Sequence, residues 1–564
     1  MKRIIQCLIG IGCSLVFSSL VSAKDKIDYW LKTEFNQSTL SYSEQYKEME
    51  WFADKAEPFQ GLTIRVTSEI INTHLYEANI LAKAFHDITG IRVVHEVSSE
   101  DDIVKKFSYQ LDSGDSIYDA HIVDTDLIGL LARSGKVIPI SEMMSGTGKD
   151  LTLPTLDIDD FLGLQFATSN GVLYQLPDQH FVNLYWYRYD WFTMPALKSK
   201  FKQLYGYELG IPVNWAAYED IAEFFTVHVK EINGKRIYGH MDYGRNDPSL
   251  GWRFSDAWFS MAGMGDIGIP NGKPVDEWGI RVKGCHPVGA SVGRGGAING
   301  PAAVYALTKF KQWLFNFAPT GAPNLTFSQS GTVSADGSIA QQIFWYSAFA
   351  STYATVNTPI VSLDGKLRWR VAPTPTGKYW RKGMKVGYQD VGAWTFLYST
   401  PTHLRHAAWL YAQFIVSKTV SLKKTMVTNT PIRRSDVFSE LLENSLMAKS
   451  GILDFYKSKA MAKWSPTGDN VPDYPALSAG WYLELAGYLE GKLTAQQALD
   501  NLAAFFDGHL SKLQQEARSS NVTCAPILNP RQDRNYWLKR DGSPKEEIAA
   551  EPKGKTVPVD SQLW

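Results

Sequence analysis

An α/β fold, with helices on both faces of a parallel sheet, is what this chain predicts, and three observations predict it. Between residues 62 and 123 the hydrophobic period switches repeatedly between two and 3.6: LTIRV (62–66) reads as a strand, Leu75–Ile88 as a helix, Ile91–Val97 as a strand, Asp101–Leu111 as a helix and Tyr118–Val123 as a strand. Gly90 stops the first of these helices. The length, 564 residues, suits one large two-lobed protein or two to three domains. In such sheets ligands sit beyond the carboxyl ends of the strands. That rule points to Thr67-Ser68-Glu69 after the first strand and to Asp124-Thr125-Asp126 after the third.

The elements before and after follow in order. Met1-Lys2-Arg3, the apolar run Ile4–Leu20 and the small residues Val21-Ser22-Ala23 read as a cleaved signal peptide over 1–23. Cys13 is a poor lipid-attachment site, because it lies inside the apolar region. Residues 24–59 form an N-terminal extension with a helical pattern around Tyr42–Phe52. FVNLYWY (181–187) is an aromatic strand after Pro177, and Pro212-Val213-Asn214-Trp215 opens a helix. Residues 240–300, rich in Gly, Trp and Asp, are expected to be irregular. Ala302–Phe317 is a helix with Pro301 at its start, Ile339–Tyr353 an apolar helix, and Leu367–Val371 a strand. Thr402–Val416, Thr419–Met426, Tyr482–Leu489 and Ala495–Ala517 are helical. The tail from 521 to 564 is expected to run over the surface.

Composition excludes several functions. A formal net charge of −1 argues against a nucleic-acid partner. Export removes Cys7 and Cys13, and the two cysteines that remain, Cys285 and Cys524, read as one disulfide. The stretch GCHPVGASVGRGGAINGP (284–301) looks like a site, but no Lys follows its glycines as a phosphate cradle requires. No metal-ligand spacing accompanies Cys285-His286, so neither a metal nor a cofactor is expected. His95-Glu96 does not continue into HExxH, and no GxSxG elbow occurs. The acidic runs Asp159-Asp160 and Glu100-Asp101-Asp102 suit solvated faces or helix caps. An exported glycoside hydrolase is the alternative such a chain leaves open, because its 18 Trp suit a cleft that stacks on sugars.

Several segments together resemble the extracellular solute-binding proteins of carbohydrate-type ABC importers. They are LTIRVTSEIINTHLYEANILAKAFHDITGIRV, DSIYDAHIVDTDLIGLLARSGKVIPI, GVLYQLPDQHFVNLYWYRYDWF, IPVNWAAYEDI, AQQIFWYSAF, WRVAPTPTG, GYQDVGAWTFLYST and AAWLYAQFIVSKTVSLKKTMVTNTPIRRSDV. No single segment is specific; their order and spacing carry the likeness, which runs from about Leu62 to Val437. WRFSDAWFSMAG and the GCHPVGASV–GGAINGP insertion look most like the glycerol-importer branch. Arg188 stands where the family commonly has Asn.

The resemblance implies a two-lobed periplasmic-binding-protein fold of type II, each lobe a sheet flanked by helices, with a cleft between. It places lobe 1 at 60–178 plus 368–425 and lobe 2 at 179–367 plus 426–520. It further implies a monomeric periplasmic receptor, not an enzyme, that captures a small polyol or sugar and delivers it to the ABC transporter permease. Glycerol leads that ligand set.

For such a ligand the candidates are carboxylates, amides and aromatic faces. Asp124 and Asp126 are ligand contacts or caps of the next helix; His180 and Asn183 are cleft-edge groups or hinge hydrogen bonds. Gln389 and Asp390 follow the second crossing, with Asp390 the leading polar candidate. Trp345 and Tyr346 are preferred as the aromatic wall over Trp252, which is as readily a core residue.

Overall fold

The computed structural model describes residues 23–267, 275–276, 278–345, 358–363, 365, 367–387, 389–464, 468–519, 522–542 and 545–564. The proposed signal peptide, apart from Ala23, and Tyr346 lie outside them. Two helices come first, α1 (Ala23–Thr33) and α2 (Tyr42–Lys55), the second opened by a Ser41–Glu44 capping box. Strand β1 (Thr63–Glu69) is followed by α3 (Asn72–Tyr76), a π turn (Glu77–Leu81) and α4 (Ala82–Thr89). Gly90 caps α4 at φ +77°, a conformation that costs glycine no Cβ clash. Then come β2 (Arg92–Ser98), α5 (Glu100–Ser113), β3 (Ala120–Asp124) and α6 (Ile128–Ser134). As the alternating periods predict, β1 pairs in parallel with both β2 and β3.

Strand β4 (Leu176–Arg188) organises the rest. Beyond it lie α7 (Pro248–Trp252), α8 (Pro301–Asn316), β5 (Gln341–Trp345), β6 (Trp369–Ala372), β7 (Gln389–Thr395), α9 (Thr402–Val416), α10 (Lys418–Thr428), α11 (Tyr474–Leu489) and α12 (Ala495–Glu516). The sheet order is β5-β4-β7-β3-β1-β2, with β6 on the other edge of β4. Leu176–Val182 of β4 pairs antiparallel with β7; Asn183–Tyr187 pairs with β5, and Tyr185–Arg188 with β6. One continuous strand therefore changes partners between Val182 and Asn183.

Two expectations are corrected. Ile339–Tyr353 is not a helix over its described part, since Gln341–Trp345 is a fully buried strand; a strand covered on both faces is a continuous apolar run whose period does not separate it from a helix. Residues 240–300 are not wholly irregular: α7 continues through a π turn (Arg253–Trp258) into Phe259–Ala262.

The two ends of β4 serve different cores, Leu176 the first and Val182–Tyr187 the second. The first gathers Ile64, Val66, Phe85, Ile122, Trp394 and Phe414. Residues 24–59 are built into it: Phe35 and Phe52 meet the Phe414 ring edge-on at 6.1 and 5.5 Å. The second gathers Trp186, Trp215, Trp258, Trp313, Phe344 and Trp481. Most of the tryptophan surplus lies buried in these cores, not at a surface.

The chain's end is laced onto the second core. Cys285 lies between the strands of a short hairpin (Arg281–Lys283 and His286–Gly289) and forms a disulfide with Cys524, Cα–Cα 5.3 Å. Backbone bonds from Ile527 to Pro287 and from Asn529 to Val288 continue that junction. Thr556–Val557 pairs with Ile211–Pro212, and Trp564 packs at 5.3 Å from Phe455. The glycine-rich loop is structural here: Asp507 of α12 accepts hydrogen bonds from Ala290 N (2.9 Å) and Ser291 Oγ (2.6 Å) and pairs with Arg294.

Candidate functional site

The partner change in β4 brings together residues from both cores. His180 faces Val391 across the β4–β7 ladder, Val182 faces Gln389, and one residue later Asn183 faces Trp345 on β5. All of these side chains are buried. The Tyr456 hydroxyl stands 3.1 Å from His180 Nδ1, and Trp464 Nε1 donates to the Asn183 carbonyl at 3.0 Å. Gln389 Nε2 donates to Met461 O at 2.7 Å. Burial pushes the His180 imidazole down to about 3, so it is neutral at physiological pH.

Asn183 and Arg253 flank Trp345. The Arg253 guanidinium lies 5.3 Å from the Trp345 ring centre and is held by Asp242 Oδ2 at 2.7 Å and by the Ile343 carbonyl at 2.7 Å. Its Nη1 has no hydrogen-bond partner among the described residues, nor has either side-chain atom of Asn183. Buried polar atoms left so cost about 1–3 kcal/mol each unless something meets them. A flat aromatic face bordered by an amide and a guanidinium is suited to hydroxyl-rich solutes.

Asp124 ends β3, and Asp126 lies in the turn that follows. Asp124 occupies the N-cap position of the turn Thr125–Leu127 without making a side-chain cap bond. Asp390 Oδ1 serves instead, accepting from Thr125 N at 3.1 Å, from Thr125 Oγ1 and from its own neighbour Val391 N at 2.6 Å. Asp390 thus positions the turn that carries Asp126, which is buried. Glu69, at the end of β1, has its carboxyl pushed up to about 7 by burial. Trp252 is half-buried and edge-on to Phe327 at 6.3 Å, the ring that in turn meets Trp345 edge-on at 5.6 Å.

The two halves are shut against each other. A Cβ on Gly468, which has φ +91°, would fall 2.0 Å from Asp126 O, so the backbones meet there directly. Ser169 Oγ bonds to Asp469 Oδ1 at 2.8 Å. Arg133 on α6 donates to the carbonyls of Asp469 (2.9 Å), Cys524 (3.2 Å) and Cys285 (3.2 Å). One guanidinium from the first half therefore grips both sides of the disulfide in the second. Cavities of ≈ 590 Å³ beside Trp564 and ≈ 740 Å³ beside Pro323 open elsewhere, and no predicted site residue lines them. Asp126, His180, Asn183, Trp345, Gln389 and Asp390 are all buried in this closed arrangement.

Sequence reasoning missed Arg253, Tyr456, Trp464 and Arg133. Only Arg253 had a signal, standing one residue after Trp252 in WRFSDAW.

The sequence model of the family described as bacterial extracellular solute-binding protein matches residues 75–420, more than half of the chain. The chain belongs to that family. Similar solved structures support the fold. A solute-binding protein of an ABC transporter from Agrobacterium radiobacter K84, in complex with ribitol, is 19% identical at TM-score 0.60, covering 79% of this chain and 98% of that one. One from Agrobacterium vitis S4 with bound D-mannitol is 16% identical at TM-score 0.59, covering 80% and 99%. Maltose-bound MalE3 of T. maritima is 16% identical at TM-score 0.58, covering 79% and 98%. No protein sequence of curated function matches the chain. The solute-binding fold is thus the periplasmic-binding-protein α/β fold, and its work is binding, not catalysis. No helix among the described residues is long and apolar enough to cross a membrane.

Proposed function

We propose that this solute-binding protein is the periplasmic receptor of an ABC importer and captures a small neutral polyol or sugar where β4 changes partners. The observation that carries the proposal is the pairing of unpartnered Asn183 and Arg253 Nη1 with the Trp345 face at the strand shared by both halves. A hydroxyl both donates and accepts, so a vicinal diol can satisfy an amide and a guanidinium together while its C–H face lies on the indole. The polyols and sugars bound by the similar structures support the same class.

In this reading His180, Gln389 and Asp126 border the solute, Asp390 shapes the turn beside it, Asp124 stands at that turn's N-cap position, and Trp252 is a further aromatic wall; Tyr346 lies outside the described residues. Opening and closing occur about β4, and the ligand stabilises the closed form that the permease reads. The receptor acts as a monomer and is exported by its signal peptide. Glycerol leads the candidates on the likeness of WRFSDAWFSMAG and of the glycine-rich insertion to the glycerol-importer branch.

A thermal-shift panel of glycerol, ribitol, mannitol, glucose and maltose tests this. A ligand at one hundred times its Kd stabilises the native state by about 2.7 kcal/mol. Glycerol or a pentitol is expected to raise the melting temperature, and Trp345→Ala or Asn183→Leu to abolish the shift while leaving the unligated protein folded. A response to maltose alone would remove glycerol; no response to any polyol or sugar would sink the proposal.

A further inference from the structure

A second cluster of polar groups lies under the first half of the sheet, outside the proposed solute site. His74 on α3, Glu77 at the start of the π turn and Asp178 near the start of β4 offer ligand atoms that all lie within 4.8 Å of one another. All three side chains are fully buried. Lys424 of α10 reaches the same place, donating to Glu77 Oε1 at 2.8 Å, Asp178 Oδ1 at 2.9 Å and the Asp178 carbonyl at 2.9 Å. That uses all three of its protons.

The other side of the cluster is left over. Glu77 Oε2, Asp178 Oδ2 and His74 Nε2 have no hydrogen-bond partner among the described residues. His74 Nδ1 lies 2.7 Å from the Glu69 carbonyl, an acceptor, so Nδ1 carries the proton and Nε2 turns its lone pair inward. His74 Nε2 and Asp178 Oδ2 are 3.8 Å apart. Two ligands of a tetrahedral ion with bonds of about 2.1 Å keep a separation of roughly 3.4 Å, so this pair needs only a small contraction, and Glu77 closes in from within 4.8 Å.

We propose that His74, Glu77 and Asp178 form a binding site for one divalent transition-metal ion of the zinc type. One imidazole nitrogen and two carboxylate oxygens are a donor set for such ions. The carbonyl of Glu69 orients the imidazole and Lys424 holds the far oxygens of both carboxylates, which is the support that bound ligands receive in metal sites. His74 and Glu77 are one helical turn apart, but Asp178 comes from a distant strand, which is why no spacing motif announced the site. The ion would tie the end of β1, through His74, to β4 two residues before His180. A proton shared by Glu77 and Asp178 is the competing occupant.

Untagged protein, freed of metal with EDTA, is equilibrated with zinc chloride, passed through gel filtration and assayed for bound zinc, melting temperature and zinc-edge X-ray absorption. The expected result is about one zinc per chain, a raised melting temperature, and a coordination shell of one imidazole with oxygens and no sulfur. His74→Gln, checked for fold by circular dichroism, should lose the zinc and the shift. If that variant fails to fold, the absorption spectrum of the unaltered protein decides. Protein that emerges without stoichiometric zinc, a shell with two or more imidazoles, or zinc held equally well by folded His74→Gln would overturn the proposal, and the first result would assign the cluster to a shared proton.

Discussion

Replacing both Cys285 and Cys524 by Ser removes a cross-link between residues 239 apart in sequence. The double replacement avoids leaving a reactive thiol. In the chain-entropy treatment a loop of that length restricts the unfolded ensemble by about 18 cal/mol/K, or about 5.5 kcal/mol at 25 °C. That is an upper figure, because residual unfolded-state structure reduces it. The native contacts of the segment do not depend on the cross-link alone: His286 Nδ1 bonds to Ala525 O at 2.7 Å, and Ile527 and Asn529 bond to the hairpin backbone. The folded state therefore survives the change, and the expected loss is about 2–5 kcal/mol. Urea unfolding of the oxidised protein and of the double variant measures it, with a lower midpoint and a steeper dependence on urea for the variant, whose unfolded chain is more expanded. A loss under about 1 kcal/mol, or two titratable thiols in the unreduced unfolded protein, would refute the reasoning.

Three further predictions concern closure and burial. Arg133→Ala removes the three bonds that hold α6 to Asp469, Cys285 and Cys524, so solute affinity should weaken about 5- to 150-fold by calorimetry; affinity within twofold of the unaltered protein would show that the grip does not stabilise the closed form. Gly468→Ala places a methyl group against Asp126 O, and small-angle scattering of the variant with solute should give a larger radius of gyration; an unchanged radius and affinity would contradict the direct backbone meeting. Asp436 is fully buried, and burial pushes its carboxyl up to about 7. A carboxyl whose folded pKa lies above its unfolded value favours folding below the unfolded pKa and loses that advantage as pH rises through the folded one. Asp436→Asn should therefore be more stable than the unaltered protein at pH 8, by up to about 4 kcal/mol, with the difference closing towards pH 4; parallel melting curves across that range would count against it.

The first half of the fold was legible because each of its elements carries its own period: LTIRV and the segments to Val123 became β1, β2 and β3 with their helices almost unshifted. The disulfide was legible from a count of two exported cysteines. β5 was not legible, since QQIFW buries its two glutamines along with its apolar residues and shows no alternation, and only its aromatic and β-branched residues leaned towards a strand. Of the candidate site, Asn183 and Trp345 were found on separate segments, but nothing in either segment says that they face each other across a ladder. The clasp of Asp390 on Thr125, 265 residues away, and that of Lys424 on Glu77, 347 residues away, are products of the tertiary fold and have no local trace.

The first and last described residues are anchored on different cores, on opposite sides of the joint proposed at β4. α1 and α2 are packed into the core beneath β1, whereas the last residues are pinned to the other core at Ile211–Pro212 and beside Phe455. The separation of the termini is therefore a built-in gauge of opening. A donor dye near Lys24 and an acceptor on an exposed position such as Gln562 would report solute capture as a change in energy transfer, with no probe in the cleft. The same arrangement warns against a bulky C-terminal fusion, which would lever Trp564 away from Phe455 and disturb the half that it was meant to label.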